Sequence, residues 1–274
     1  MRPGAGPDAP AVRIGPRSAA ALVGVSALGL MMLGWPFLLD VPDGARVDPP
    51  FLFLALLPLL LVAVLAEMTE GGMDARVLAV LGLLSAINGV VRGLGAGVAG
   101  LELVFFLLIL GGRVFGPAFG FILGGTSLFV SALFTAGVGP WLPFQMLVAG
   151  WVGMGAGLLP RRPRGRSEVA MLIGYGVLAA YAYGALMNLW SWPFVLGIEV
   201  PGREGTELSY VAGAPLLENL QRFGLYTLVT STGGWDTGRA LTNAVALGVL
   251  GPSVLATLRR VARRAVVVRV SAAA

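Results

Sequence analysis

The sequence contains no cysteine, no histidine and no lysine, and only 12% of its 274 residues are charged. Without cysteine there are no disulfides, no thiolate ligands and no thiol nucleophile. Without histidine there is no imidazole general base, no HExxH zinc site and no Ser-His pair. Without lysine the chain cannot hold nucleotide phosphates with a Gly-Lys-Ser/Thr loop, so it is no standard ATPase. A soluble domain carries about 25% charged residues, and half that density cannot coat a water-facing surface. What is abundant is apolar: 57% of the chain is hydrophobic and the mean hydropathy is +0.85. Forty-one glycines without a G-X-Y period exclude collagen. The composition is that of an all-α polytopic membrane protein.

Eight apolar segments punctuate the chain. They are Ser18–Leu39, Phe51–Ala66, Ala75–Val91, Leu101–Leu110 with its flanks, Pro117–Thr135, Gln145–Leu159, Val169–Trp190 and roughly Arg239–Leu258. The first is too long for a signal peptide and lacks a small-x-small cleavage site after it. Leu101–Leu110 covers only about 15 Å as a helix, so it must run on to Phe115 or sit inside the bundle. Ser191–Thr237 reads as a long irregular connection with a partial helix around Leu216–Val229. Met1–Arg17, rich in Pro, Gly and Arg, reads as a disordered tail.

All nineteen basic residues are arginine, and their placement sets an orientation. With the N-terminus inside, Arg2, Arg13, Arg17, Arg76, Arg113, the 161–166 loop and the Arg259–Arg269 run all fall in the cytoplasm. Arg46, Arg92, Arg203 and Arg222 fall opposite. The positive-inside rule then places both termini of a multi-pass plasma-membrane protein in the cytoplasm. Arginines beside apolar spans are no nucleic-acid signature.

Small residues recur at helical spacing in three stripes: Ala75, Ala79, Gly82 and Ala86; Gly116, Gly120 and Gly124; and Ala149, Gly153 and Gly157. Each suits close helix approach in lipid, within the chain or against a partner subunit, and spacing alone leaves both open. Polar residues gather at one depth. Asn88 and Arg92 stand one turn apart, and Glu102 opens the next segment at the same level. Arg92 and Glu102 form either an ion pair or part of a ligand cavity. Gln145, Asn188 and Asn243 join that level, as do Trp141, Trp190, Trp192 and Trp235, which serve as interface anchors or as an aromatic wall. Paired Asp-rich motifs, two in-membrane aspartates and an obvious internal repeat are all missing. No catalytic residue and no metal site is expected, and a membrane enzyme is disfavoured.

Several segments resemble the substrate-binding S components of energy-coupling factor (ECF) transporters, especially an actinobacterial branch. They are Asp74-Ala75-Arg76, Val104–Leu107, Gly111-Gly112-Arg113-Val114-Phe115-Gly116-Pro117-Ala118-Phe119-Gly120-Phe121, Gly137–Met146 and Met187-Asn188-Leu189-Trp190. The Gly-Pro-x-x-Gly-Phe turn and the Gly-Pro-Trp-x-Pro-Phe-Gln loop together carry the likeness, which covers roughly Arg76–Arg264. It implies a six-helix core over 75–264, preceded by two additional transmembrane helices over 18–66 and flanked by tails at 1–17 and 265–274. It further implies capture of a vitamin or related micronutrient from outside, partnership with a membrane T subunit and two ABC ATPases, and no cofactor in this chain, ATP being used by the partners. Carried over by position, the substrate-binding residues are Arg92, Glu102, Trp141, Gln145, Asn188, Trp192, Asn219 and Asn243. The stripe Ala75, Ala79, Gly82 and Ala86 becomes the T-subunit contact. A cobalamin-like ligand or a smaller aromatic vitamin fits these residues. The alternative is a membrane assembly protein or a stand-alone transporter.

Overall fold

The computed structural model describes residues 15–38, 51–70, 75–95, 100–195, 208–211 and 213–271. Residues 1–14, the acidic turn 40–50, the Gly71-Gly72 link and the stretch 196–207 lie outside the described residues. Every element within them is helical. In chain order these are α1 (Pro16–Leu33), the short α2 (Trp35–Leu38), α3 (Phe51–Glu70), α4 (Ala75–Gly95), α5 (Val104–Phe115), α6 (Pro117–Phe134), α7 (Leu142–Leu158) and α8 (Arg166–Val195). There follow α9 (Leu216–Thr227), a π-helical segment (Leu228–Asp236), α10 (Thr237–Val249) and α11 (Gly251–Ser271).

Four helices, within α1, α4, α6 and α8, are long and apolar enough to cross a membrane. A fifth is the continuous rod Leu216–Val249, taken with the bent α11, and Ala55–Ala66, α5 and α7 are shorter apolar helices. Each of the eight apolar segments read from the sequence thus holds a helix. This is a multi-pass membrane protein.

The last span is corrected. Its helix starts at Leu216, not Arg239, and it is bent after Val249, so that Leu216–Val249 and Gly251–Arg263 are apolar enough to cross only when taken together. Gly251 and Pro252 stand at the break, where proline is tolerated in a first helical turn, and α11 departs at 66°. Leu255 and Leu258 lie past that break, on the buried face of the arginine-bearing α11. The irregular connection expected before Arg239 is helical from Leu216 onward.

At the centre of the bundle is α5, the segment that looked too short. Eleven of its twelve residues are buried, and it runs only about 18 Å, because neighbouring helices surround it and no lipid face needs covering. It extends to Phe115, as its length required. Gly116 then turns the chain at φ +107°, a conformation in which only glycine avoids a Cβ clash, and Pro117 opens α6.

Two of the glycine stripes meet each other. A Cβ on Gly120 would fall on the Gly153 carbonyl, one on Gly153 would fall on the Gly120 carbonyl, and one on Gly124 would fall on the Ala149 carbonyl. Backbone-to-backbone approach of α6 and α7 is the attraction that replaces the hydrophobic effect inside lipid. The third stripe behaves oppositely. Ala75, Ala79, Gly82 and Ala86 are all exposed, and nothing lies within 4 Å of where a Cβ on Gly82 would be. On its other face α4 packs on α6 through a polar ladder in which the Ser85 and Thr126 hydroxyls bond at 2.7 Å and Arg92 donates to Ser131 at 3.0 Å.

The N-terminal helices dock on α7 and α8 and leave that α4 stripe uncovered. Trp151 on α7 donates to the Ser26 hydroxyl at 2.8 Å, Gly29 receives the Leu147 side chain, and Trp35 stacks on Phe194 with centroids 5.6 Å apart. The opposite end of the bundle carries a charged clasp. Buried Arg113 donates to Glu168 at 2.7 Å and to the carbonyls of Leu159 and Pro160 at the end of α7, while Arg259 on α11 reaches the same Glu168 oxygen at 2.6 Å. One carboxylate therefore ties α5, α8 and α11 together. The Arg113 guanidinium that it holds in place supplies the donor for the last carbonyls of α7.

Candidate ligand cavity

At the end of the bundle away from that clasp, a cavity of about 320 Å³ opens between α7, α8, α9, the π segment and α10. Its wall is built by the register of two elements. On α8, Tyr183, Gly184, Met187 and Asn188 follow at helical spacing; on the rod, Tyr226, Thr230, Ser231, Trp235, Asp236 and Arg239 do the same. The wider π turn is what keeps 230, 231, 235 and 236 on one face, and π segments often mark functional sites. Gln145 from α7 completes the lining.

Four charges are wired in series along one side. Arg92 Nε lies 3.2 Å from Glu102 Oε1; Glu102 Oε2 accepts from Arg239 Nε at 3.1 Å; Arg239 Nη1 donates to Asp236 Oδ1 at 3.0 Å. The second Asp236 oxygen accepts from Ser231 Oγ at 2.8 Å. Asp236 is only 1% exposed and Arg239 10%, so each needs its partner to avoid an uncompensated buried charge. The Arg239 guanidinium also sits over the rings of Tyr183 and Phe105, 5.1 and 5.8 Å from their centroids. Below it, Asn243 donates to the carbonyls of Glu102 and Arg239 at 2.7 and 2.8 Å, fixing the segment that carries Glu102 to α10.

Gly184 explains how so large a cluster fits against α8. The Asp236 carboxylate occupies the space a Cβ would take there. We expect Gly184→Ala to push Asp236 off Ser231 and Arg239. The loss should be about 1–3 kcal/mol of stability, from buried polar atoms left unpaired, read as a lowered unfolding temperature in detergent.

The sequence-derived residues separate into three groups. Gln145 and Asn188 line the cavity. Arg92, Glu102 and Asn243 stand behind it, in or under the ion-pair chain, and the Arg92–Glu102 pair is formed. Trp141, Trp192 and Asn219 are placed elsewhere, as scaffold. Trp192 is fully buried among Phe37, Tyr210, Phe223 and Tyr226 and donates to the Leu208 carbonyl at 2.7 Å. Asn219 clasps the Val211 backbone through both of its amide atoms. Trp141 caps α7 from an exposed position and donates to the Gly137 carbonyl at 3.2 Å.

Sequence reading missed Tyr183, Tyr226, Ser231, Asp236 and Arg239. A signal existed for two of them: Asp236 and Arg239 are an i, i+3 acid–base pair beside an apolar run, a pairing that ionisable residues in membranes demand. Placing the start of the span at Arg239 concealed it, since Asp236 then fell in a loop.

Fold and cavity together define a helical membrane protein with a polar, aromatic-walled chamber at one end. Residues 76–232, more than half of the chain, match the family described as ECF transporter, substrate-specific component. The chain belongs to that family and is a substrate-binding S component. No curated protein and no solved structure matches it.

Proposed function

We propose that this chain captures a micronutrient of vitamin type outside the cell and passes it on through a T subunit driven by two ABC ATPases. The observation that carries the reading is the cavity itself: in a chain of this family, amides, aromatics and a pre-paired Arg–Asp cluster converge on one open-mouthed cavity. Arginine placement supports an orientation with the cavity end outside and both termini in the cytoplasm, since the Arg161–Arg166 loop and α11 mark the other end. Absence of a lysine for nucleotide phosphates is consistent with ATP being used by partner chains.

About 320 Å³ lies at the low end of ligand pockets. That favours an aromatic vitamin of a few fused rings over a corrinoid, which is several times larger. Mass spectrometry of small molecules released from the detergent-purified chain tests the reading. One stoichiometric metabolite, lost when Gln145 and Asn188 are both changed to Ala, is the expected result. A folded chain that is empty and ignores a vitamin panel would sink it.

The uncovered stripe of α4 supports a T-subunit contact at Ala75, Ala79, Gly82 and Ala86. Ala79→Leu should weaken capture by the co-expressed T subunit about tenfold or more, near 1.4 kcal/mol, without changing ligand retention. Equal loss of both in a pull-down would mean that the stripe serves the fold and no partner.

A further inference from the structure

The charges of the cavity are spent before any ligand arrives. Among the described residues at this end, Arg239 and Asp236 line the wall, Glu102 and Arg92 stand behind, and the two positive and two negative groups close on one another. Both Asp236 oxygens are taken, one by Arg239 and one by Ser231. Glu218 and Arg222 on the neighbouring α9 are likewise paired, at 2.8 Å. What remains unspent is neutral hydrogen bonding. The Asn188 amide nitrogen is buried with no partner, a donor waiting for an acceptor, and the Gln145 carboxamide shares the same wall. The other surfaces are the rings of Tyr183, Tyr226 and Trp235.

We infer that the ligand carries no net charge at neutral pH and presents a carbonyl oxygen or ring nitrogen to Asn188 from a flat ring system held against these aromatics. This rests on the binding reading above and narrows it. An anionic ligand would compete with Glu102 and Asp236 for Arg239 and leave one negative charge too many beside a buried ion-pair chain. A cationic ligand would lie beside Arg239, and the cavity's carboxylates among the described residues are already paired. Either leaves an uncompensated charge, which a buried site tolerates badly. A neutral acceptor satisfies the orphaned Asn188 donor of this wall and disturbs no ion pair.

The test exposes purified wild-type, Asp236→Asn and Asn188→Ala chains in detergent to the low-molecular-mass fraction of yeast extract and identifies what each retains. Wild type is expected to retain a compound that is uncharged at pH 7 and bears a carbonyl or ring nitrogen. Asp236→Asn makes the cluster net positive and should retain it about tenfold less, as should Asn188→Ala, which leaves every ion pair in place. An anion retained by wild type, and more strongly by Asp236→Asn, overturns neutrality while the binding reading stands. A retained cation does the same. Unchanged retention by Asn188→Ala overturns the acceptor assignment, and this arm decides the matter if Asp236→Asn fails to fold. Folded wild type that retains nothing overturns the binding reading, and this inference falls with it.

Discussion

Replacing Arg239 with Ala is expected to cost about 3–5 kcal/mol of stability and to abolish ligand retention. Arg239 is the middle of the ion-pair chain and, among the described residues, the only cation paired with both Glu102 and Asp236. Its removal leaves Asp236, 1% exposed, with Ser231 alone, and leaves Glu102 with Arg92. Asp236 is then a buried charge without its cation between α8 and α10, and accommodating it reshapes the wall formed by Tyr183, Ser231 and Asp236. Thermal unfolding in detergent, followed alongside ligand retention, reads both effects. Arg239→Lys separates charge from geometry: a point charge can meet one carboxylate well but cannot fork between two, so stability should recover more than binding does. Wild-type stability in Arg239→Ala would show that the cluster is solvated and would remove the argument that its charges depend on one another.

The second large effect is expected far from the cavity. Gly153→Leu should yield no monodisperse protein, a loss of more than about 4 kcal/mol, because its side chain would have to pass through the Gly120 backbone. Two successive close approaches, Gly120 on Gly153 and Gly124 on Ala149, hold α6 against α7, so the strain has no flexible side chain to relax into. Gly174→Leu on α8 is the matched control, since nothing lies within 4 Å of a Cβ built there. Comparable yields of the two variants, measured by size-exclusion chromatography, would show that α6 and α7 can separate without loss of fold. The contrast also bears on α4: glycine in a membrane helix permits contact, and whether one is made is decided only by what stands opposite.

Both predictions turn on contacts between segments far apart in sequence, and that divides what could be read from the chain. Membrane class, helical architecture, the placement of eight apolar helices, the family and the shortness of α5 follow from composition, apolar run length and local motifs. A bilayer penalises unpaired backbone and charge so strongly that hydropathy alone leaves helices as the main option. Gln145 and Asn188 were legible as cavity residues because amides inside apolar helices are costly and demand a reason.

Trp192 and Asn219 looked equally functional, and the structure spends both on scaffold: one donates its indole N–H to the Leu208 carbonyl, the other clasps Val211. Their residue types carry the same chemistry in either role, so type alone could not separate them. Arg239, Asp236 and Gly184 come from α8 and from the rod that includes α10, and they meet only because those helices pack on each other. Their roles depend on a glycine making room for a carboxylate across the interface. Local sequence fixes where a helix begins and which face is apolar, because those depend on neighbours a few residues away. Which charges face one another, and which stripe of small residues stays bare, depends on distances between helices, and those exist only once the bundle has closed.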